Sequence, residues 1–301
     1  MNECKGSYSN SMHKYLLLIL WVLFTLPAMA AANQTAAPDT ARVVIKKPNW
    51  DLDFRSGLTG SQAAYRNWSS GGVNNVTAVA NTVLSGVYLK EKYRYNFNLT
   101  LRYGQSRLED NEFRKSEDII RFRNQITRQF DDKRFGTVVN VNFQSQFDKG
   151  FNDDRDKVVS RFLAPATLTE SIGFSFSPVE SKFEMDAGIA MKQTLVRDRT
   201  LSTNYGLDEG NRLMNEAGFS LTFKYEKELM DNVHYTGHLE TFSNVLKKLD
   251  STDLTLINEL SGRINSNMSA NFEFALQYND NVSSEIQVKQ IFSLGISYRF
   301  I

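Results

Sequence analysis

Cysteine is almost absent. The only one in 301 residues, Cys4, precedes the first apolar run, so a chain that has lost its leader can hold no disulfide and no thiolate site. An excess charge of either sign is also missing. Lys and Arg number 35 against 34 Asp and Glu. With Lys5, Lys14 and Glu3 removed alongside the leader described below, 33 face 33. That balance provides no basic face for nucleic acid. Long apolar runs are missing too: Tyr15–Leu26 spans 12 residues, whereas a helix needs about 20 to cross a bilayer. A composition 41% hydrophobic and 23% charged likewise argues against a helical membrane bundle. The usual catalytic signatures do not occur: no G-x-S-x-G, H-E-x-x-H, Walker loop or G-x-G-x-x-G. What is abundant is aromatic, with 21 Phe, 12 Tyr and 3 Trp.

The apolar run Tyr15–Leu26 follows His13-Lys14 and precedes Pro27 and Ala28-Met29-Ala30. A basic n-region, a short h-region and small residues before a cleavage point make a secretory signal peptide. Residues 1–30 are therefore expected to be the signal, with Met1 or Met12 as the start, and 31–48 a polar periplasmic tether. No cysteine stands just after the run, which disfavours a lipid-anchored lipoprotein.

From residue 49 onward the sequence alternates. Phe292, Leu294, Ile296, Tyr298 and Phe300 are interleaved with Ser293, Gly295, Ser297 and Arg299, and Met268 through Tyr278 repeats the pattern. So do Tyr93–Tyr103, Phe219–Tyr225, Val139–Phe143 and Phe183–Met191. A period of two requires strands with one apolar and one polar face. Weaker versions run over Trp50–Gln62, Val76–Leu89, Ile119–Phe130, Phe162–Phe176, Val233–Val245 and Asp253–Ile264, making twelve strands.

Tight polar turns are expected at Lys90-Glu91-Lys92, Asp131-Asp132-Lys133, Pro178-Val179-Glu180, Met230-Asp231-Asn232 and Ser266-Asn267. Longer segments lie between them: Arg66–Asn75, Gln105–Glu117, Asp148–Lys157, Arg197–Arg212, Leu246–Thr252 and Asn279–Glu285. Five short turns and six long loops close twelve strands with both termini on the turn side. The expectation is an all-β fold: a single antiparallel transmembrane β-barrel with short periplasmic turns and longer extracellular loops.

A soluble sandwich or lipocalin-like barrel is the competing reading. Those folds turn apolar residues inward, where space is limited. Here the apolar positions hold many Phe, Tyr, Leu and Met, and the opposite face carries Arg, Glu, Lys and Asn, which only a wet lumen solvates. Aromatics also gather at both strand ends: Trp50, Tyr88, Tyr93, Phe130, Phe135, Phe176, Phe183, Tyr225 and Tyr235 near the turns, Trp68, Tyr103, Phe147, Phe162 and Tyr278 near the loops. Two interfacial girdles are what a membrane barrel requires.

The last strand resembles the C-terminal signature of Gram-negative outer-membrane proteins, departing from it by Ile301 after Phe300. That resemblance implies the cell outer membrane as location, with lipid and the barrel-insertion machinery as partners. Trp68-Ser69-Ser70-Gly71-Gly72-Val73-Asn74, and Phe162-Leu163-Ala164-Pro165 leading into Ile172-Gly173-Phe174-Ser175-Phe176, are similar to a family called domain of unknown function 3078. It implies an outer-membrane barrel and no catalytic residues.

The polar faces supply the candidate site. Arg94, Arg102, Arg121, Arg123, Lys192, Lys224, Arg263 and Arg299 are expected to line one lumen with Glu184, Asp186, Glu226, Glu240, Glu259 and Glu273. His234 and His238 share that face with Glu240. At about 3.3 Å per residue the two histidines are about 13 Å apart, too far for one zinc, so no metal and no cofactor is expected. Asp153, Asp154 and Asp156 are a faint calcium signal without the EF-hand pattern. Barrels of eight strands are filled by side chains and those of sixteen or more hold channels, so twelve falls between. The expected function is passage or binding of small polar solutes, not catalysis. The alternatives are a closed structural or surface-interaction barrel acting through its loops and, less favoured, a barrel-wall lipid hydrolase.

Overall fold

The computed structural model describes residues 49–63, 74–109, 112–152, 154, 156–178, 182–247 and 252–301. The expected leader and tether, the Trp68–Val73 stretch, Asp153 and Val179-Glu180 lie outside these residues.

Fourteen strands follow in chain order: β1 (Trp50–Ala63), β2 (Asn75–Lys90), β3 (Tyr93–Leu108), β4 (Arg114–Gln129), β5 (Phe135–Ser145), β6 (Gly150–Phe151), β7 (Val158–Ser160), β8 (Ala166–Phe176), β9 (Phe183–Leu195), β10 (Leu213–Met230), β11 (Val233–Asn244), β12 (Asp253–Arg263), β13 (Met268–Asn279) and β14 (Ser283–Arg299). Twelve of them close an antiparallel barrel in the order β1-β14-β13-β12-β11-β10-β9-β8-β5-β4-β3-β2. The pair β6-β7 is a separate small hairpin inside the β5–β8 connection.

The barrel seam pairs β1 with β14 from Arg55↔Arg299 to Gly60↔Leu294. The Phe300 N–H donates to the Phe54 carbonyl at 2.8 Å, and the two rings stack 4.7 Å apart. Ile301 does not disturb this closure.

The apolar face looks outward. Phe174, Phe292 and Ile296 are 67%, 69% and 63% exposed, and the buried apolar set inside the barrel is confined to a few residues such as Val138, Ala190 and Phe242. A water-facing belt of this extent would far exceed the few hundred Å² of contiguous apolar surface a soluble monomer carries. In lipid the same belt is stabilising. The barrel is therefore transmembrane.

Two faces break their own pattern. Asn124 and Asn258 lie on the outer face, and each accepts a hydrogen bond from a neighbouring tyrosine: Tyr95 to Asn124 at 2.8 Å and Tyr235 to Asn258 at 2.6 Å. Ile119, Ile257 and Ile291 point inward, paired with Arg102, His238 and Glu273.

Boundaries differ from expectation in four places. Asn279–Glu285 is not a long loop: β13 runs to Asn279 and β14 begins at Ser283, with Asn279 paired to Ser283 across a tight connection. The Gln105–Glu117 segment is mostly strand, because β3 and β4 continue to Leu108 and from Arg114; polar residues such as Gln105, Ser106, Lys115 and Ser116 occupy both faces there, so the alternation fades while pairing persists. Phe162–Pro165 precedes β8 as a turn, since Pro165 has no N–H to donate to a ladder. Arg197–Arg212 contains a 3-10 helix, Arg199–Tyr205.

At one corner β8 and β9 approach closely through Gly173, paired with Gly188. A Cβ on either glycine would collide with a backbone carbonyl, Ala187 or Ile172. Inward residues around that corner, Val138, Gln125, Thr127, Ser175 and Asp186, are buried.

Candidate functional site: a charged lumen

Because strand register fixes which side chains face inward, charges from distant strands meet across the barrel. Four groups of them join strands around the lumen. Towards the turn end, Arg94 on β3 pairs with Glu184 on β9, and Lys224 Nζ stands 3.6 Å from the same carboxylate. Gln125 donates from Nε2 to Glu184 at 2.6 Å and to Asp186 at 2.7 Å, and Asn140 donates to Asp186 at 3.2 Å.

In the second group Arg123 on β4 reaches Glu240 on β11 at 3.0 Å, and His238 Nε2 is 2.7 Å from the same Glu240 oxygen. The third joins Arg102 to Glu273 at 2.6 Å and Glu259 at 3.5 Å, with Lys289 between Glu273 at 2.7 Å and Glu117 at 3.0 Å. Nearest the loops, Lys192 pairs with Glu216 at 3.1 Å and with Asp253, and its ammonium sits 5.1 Å from the Phe242 ring centroid. Partly desolvated pairs like these hold walls in place as readily as they serve transport.

Arg121 is different. Its Nε donates to Gln144 Oε1 at 2.9 Å. No carboxylate lies within ion-pair distance of it among the described residues.

Two cavities occupy the lumen. The larger, about 810 Å³, is lined by residues including Asn98, Arg102, Lys224, Glu226 and His238. The smaller, about 270 Å³, lies towards the loops against Lys192, Asp253 and Tyr205. Arg121, Arg123, Asn142, Gln144 and Glu240 line both.

Not every residue of the expected lumen set joins these groups. Glu226 opens to solvent, 3.9 Å from Lys182. His234 is exposed. Arg263 donates to Asn232 in the adjoining turn, and Arg299 pairs with Asp53 at 2.6 Å while donating to the Ile301 carbonyl. These four mark the turn-end rim. Conversely, the lumen holds Glu117, Glu216, Asp253 and Lys289, which sequence reading passed over. Glu117 lies in a segment expected to be loop and Glu216 in one without clear alternation, and inward Ile291 interrupts the polar face around Lys289.

No group of three His, Cys, Asp or Glu gathers among the described residues, and the His238–Glu240 contact already holds the Arg123 guanidinium, which repels a cation. In the Asp148–Lys157 segment, Asp156 accepts from Asn152 at 2.5 Å.

At the loop end Tyr205 lines the smaller cavity, and its loop packs on a core of its own. Ala164, Val196, Leu201, Tyr205 and Leu207 form a small buried cluster, with Val158 and Met214 packed against it. Tyr205 donates to the Val159 carbonyl at 2.7 Å, and burial pushes its phenol up to about 12. Asp198 caps the 3-10 helix, accepting from Thr200 N and Oγ1 at 3.1 and 2.7 Å, and lies 2.8 Å from Arg161. The Thr200 hydrogen bonds, aided by Arg161, hold its carboxyl below the ordinary aspartate range. Gly206, at φ +77°, ends the helix, and a Cβ there would press on Asn281 of the β13–β14 connection. The Arg197–Arg212 loop thus reaches over the mouth.

The family model described as Protein of unknown function (DUF3078) matches residues 61–151. That span includes the Trp68–Asn74 motif and stops before Phe162. No curated protein matches the chain. Among solved structures, it is similar to the COG4313 outer membrane channel from Pseudomonas putida F1, at 9% identity and TM-score 0.41 over 87% of this chain and 99% of that one. It is also similar to the outer membrane channel DcaP of Acinetobacter baumannii, at 8% identity and TM-score 0.35 over 83% and 97%. The translocator domain of the autotransporter NalP from Neisseria meningitidis aligns at 10% identity and TM-score 0.34 over 99% and 100%. At such scores the barrel assignment stands on the closed strand order and outward apolar face of this chain itself, and its resemblance to the family of unknown function stands beside them.

Proposed function

We propose that the chain is exported by a cleaved leader to the outer membrane, where its lumen passes or binds small polar solutes. The insertion machinery would read its C-terminal strand, and lipid would surround the belt. The observation carrying this reading is the pair of polar cavities that share Arg121, Arg123 and Glu240 as lining. Wall-to-wall ion pairs divide the space, which favours small solutes over large ones. Planar-bilayer recordings and liposome uptake with the purified full chain test it. Discrete conductance steps and uptake of small sugars or amino acids are expected; neither channel events nor uptake would remove the transport reading.

A closed barrel acting through its loops has support from the buried cluster over the mouth. Deleting Arg197–Arg212 separates the two: a rise in conductance favours a covered channel, whereas an unchanged, silent barrel favours the closed one. A barrel-wall lipid hydrolase finds little support, because His238 faces Arg123 and Glu240 in the lumen rather than a seryl hydroxyl reachable from lipid.

A further inference from the structure

We propose that Arg121 forms an anion subsite in the lumen, suited to a small solute bearing a carboxylate or phosphate group. The inference rests on the passage reading and names its substrate class. The other cations of the four lumen groups each have a carboxylate: Arg94 and Lys224 have Glu184, Arg102 has Glu273, Arg123 has Glu240. Lys192 and Lys289 each have two. Among the described residues no carboxylate lies within ion-pair distance of Arg121, which spends one N–H on the neutral Gln144.

Its position gives that vacancy meaning. Arg121 lies near the middle of β4 and lines both cavities, so a solute moving from one to the other passes its guanidinium. Arg123 follows two residues later on the same face, about 6.6 Å along the strand. Its own charge is paired with Glu240, so it does not compete for the ligand. Neutral Asn142 and Gln144 complete the wall with donors and acceptors. A guanidinium presents paired N–H groups in a plane, a geometry that fits carboxylate and phosphate oxygens.

The opposite polarity is less available. Among the described residues Asp186 is the lumen carboxylate without a cation, yet it is 5% exposed and one oxygen receives Gln125 and Asn140. The charge offered to mobile ions where the cavities meet is therefore positive.

The test uses the full-length protein in planar bilayers under a KCl gradient, with inorganic phosphate as probe, comparing wild type with Arg121→Gln and Arg121→Lys. Heat-dependent electrophoretic mobility confirms that each variant is a folded barrel. Wild type should prefer chloride over potassium and be blocked by phosphate. Arg121→Gln should weaken that block about tenfold or more, while Arg121→Lys keeps most of it. Channels without anion preference, or a phosphate block equal in Arg121→Gln, overturn the subsite and leave passage standing. If wild type is silent, phosphate protection against thermal unfolding decides. Protection lost only in Arg121→Gln keeps the subsite and removes passage, and no protection at all removes both.

Discussion

The two ends of the barrel are finished by different physics. At the turn end, order comes from rings in the interface: Trp50 lies 5.0 Å from Tyr88, Phe135 5.0 Å from Phe176, Phe176 6.3 Å from Phe183, and Tyr225 6.2 Å from Tyr235. These rings are partly exposed, and the turns between them carry solvated pairs such as Arg134–Asp132 at 2.7 Å. At the loop end, order comes from burial. Val196 and Ala164 are fully buried in a cluster drawn from two connections, β5–β8 and β9–β10. An end anchored by lipid spreads its stability over many weak contacts. One that must cover a wet mouth concentrates it in a few.

Truncations should expose that contrast. Leu201→Ala removes a buried side chain from the cluster, at a cost of about 2–4 kcal/mol to the mouth loop. The expected result is rapid proteolysis within Arg197–Arg212 with barrel mobility on gels unchanged. Equal resistance to protease would show that the cluster does not hold the loop.

Alkaline titration sharpens the same point. Tyr205 is neutral in the fold, and its phenol is raised from about 10 to about 12, so its contribution is complete below pH 10 and lost as pH rises through about 12. Ultraviolet titration against Tyr205→Phe should show a phenol ionising near 12 disappear, with protease sensitivity of the loop rising over that interval.

A smaller loss, about 1 kcal/mol, is expected from Asp198→Ala, which removes the helix cap. Because the Asp198 carboxyl is held below its ordinary range, the cap is intact at neutral pH and fails on acidification through that lowered value. Trp50→Ala at the other end should cost a similar amount, about 1 kcal/mol, read as a lower heat-modification midpoint without any change in loop proteolysis. Least of all, Asp132→Asn should leave both readouts where they were, since its partner Arg134 is solvated.

Much of this architecture was legible in residue order, and the failures have identifiable causes. Phe272, Phe274, Leu294 and Ile296 announce an outward face because side chains alternate with every residue. Asn124 and Asn258 contradict that face locally, and only the neighbouring strand reveals the Tyr95 and Tyr235 hydroxyls that satisfy them. Charged positions such as Arg94, Arg123 and Glu240 could be placed on the polar face, but their partners could not: Arg94–Glu184 spans 90 residues and Arg123–Glu240 117. The vacancy at Arg121 is invisible until every other pair is known.

Local chemistry alone determined that these residues form strands, which side of each faces lipid, and that twelve of them alternate with turns, because a period of two is written in neighbours. Tertiary structure decided the rest. Which cation meets which carboxylate across the lumen, and how the Arg197–Arg212 loop covers the mouth, depend on barrel closure and register, which bring together residues whose separation along the chain carries no signal of their meeting.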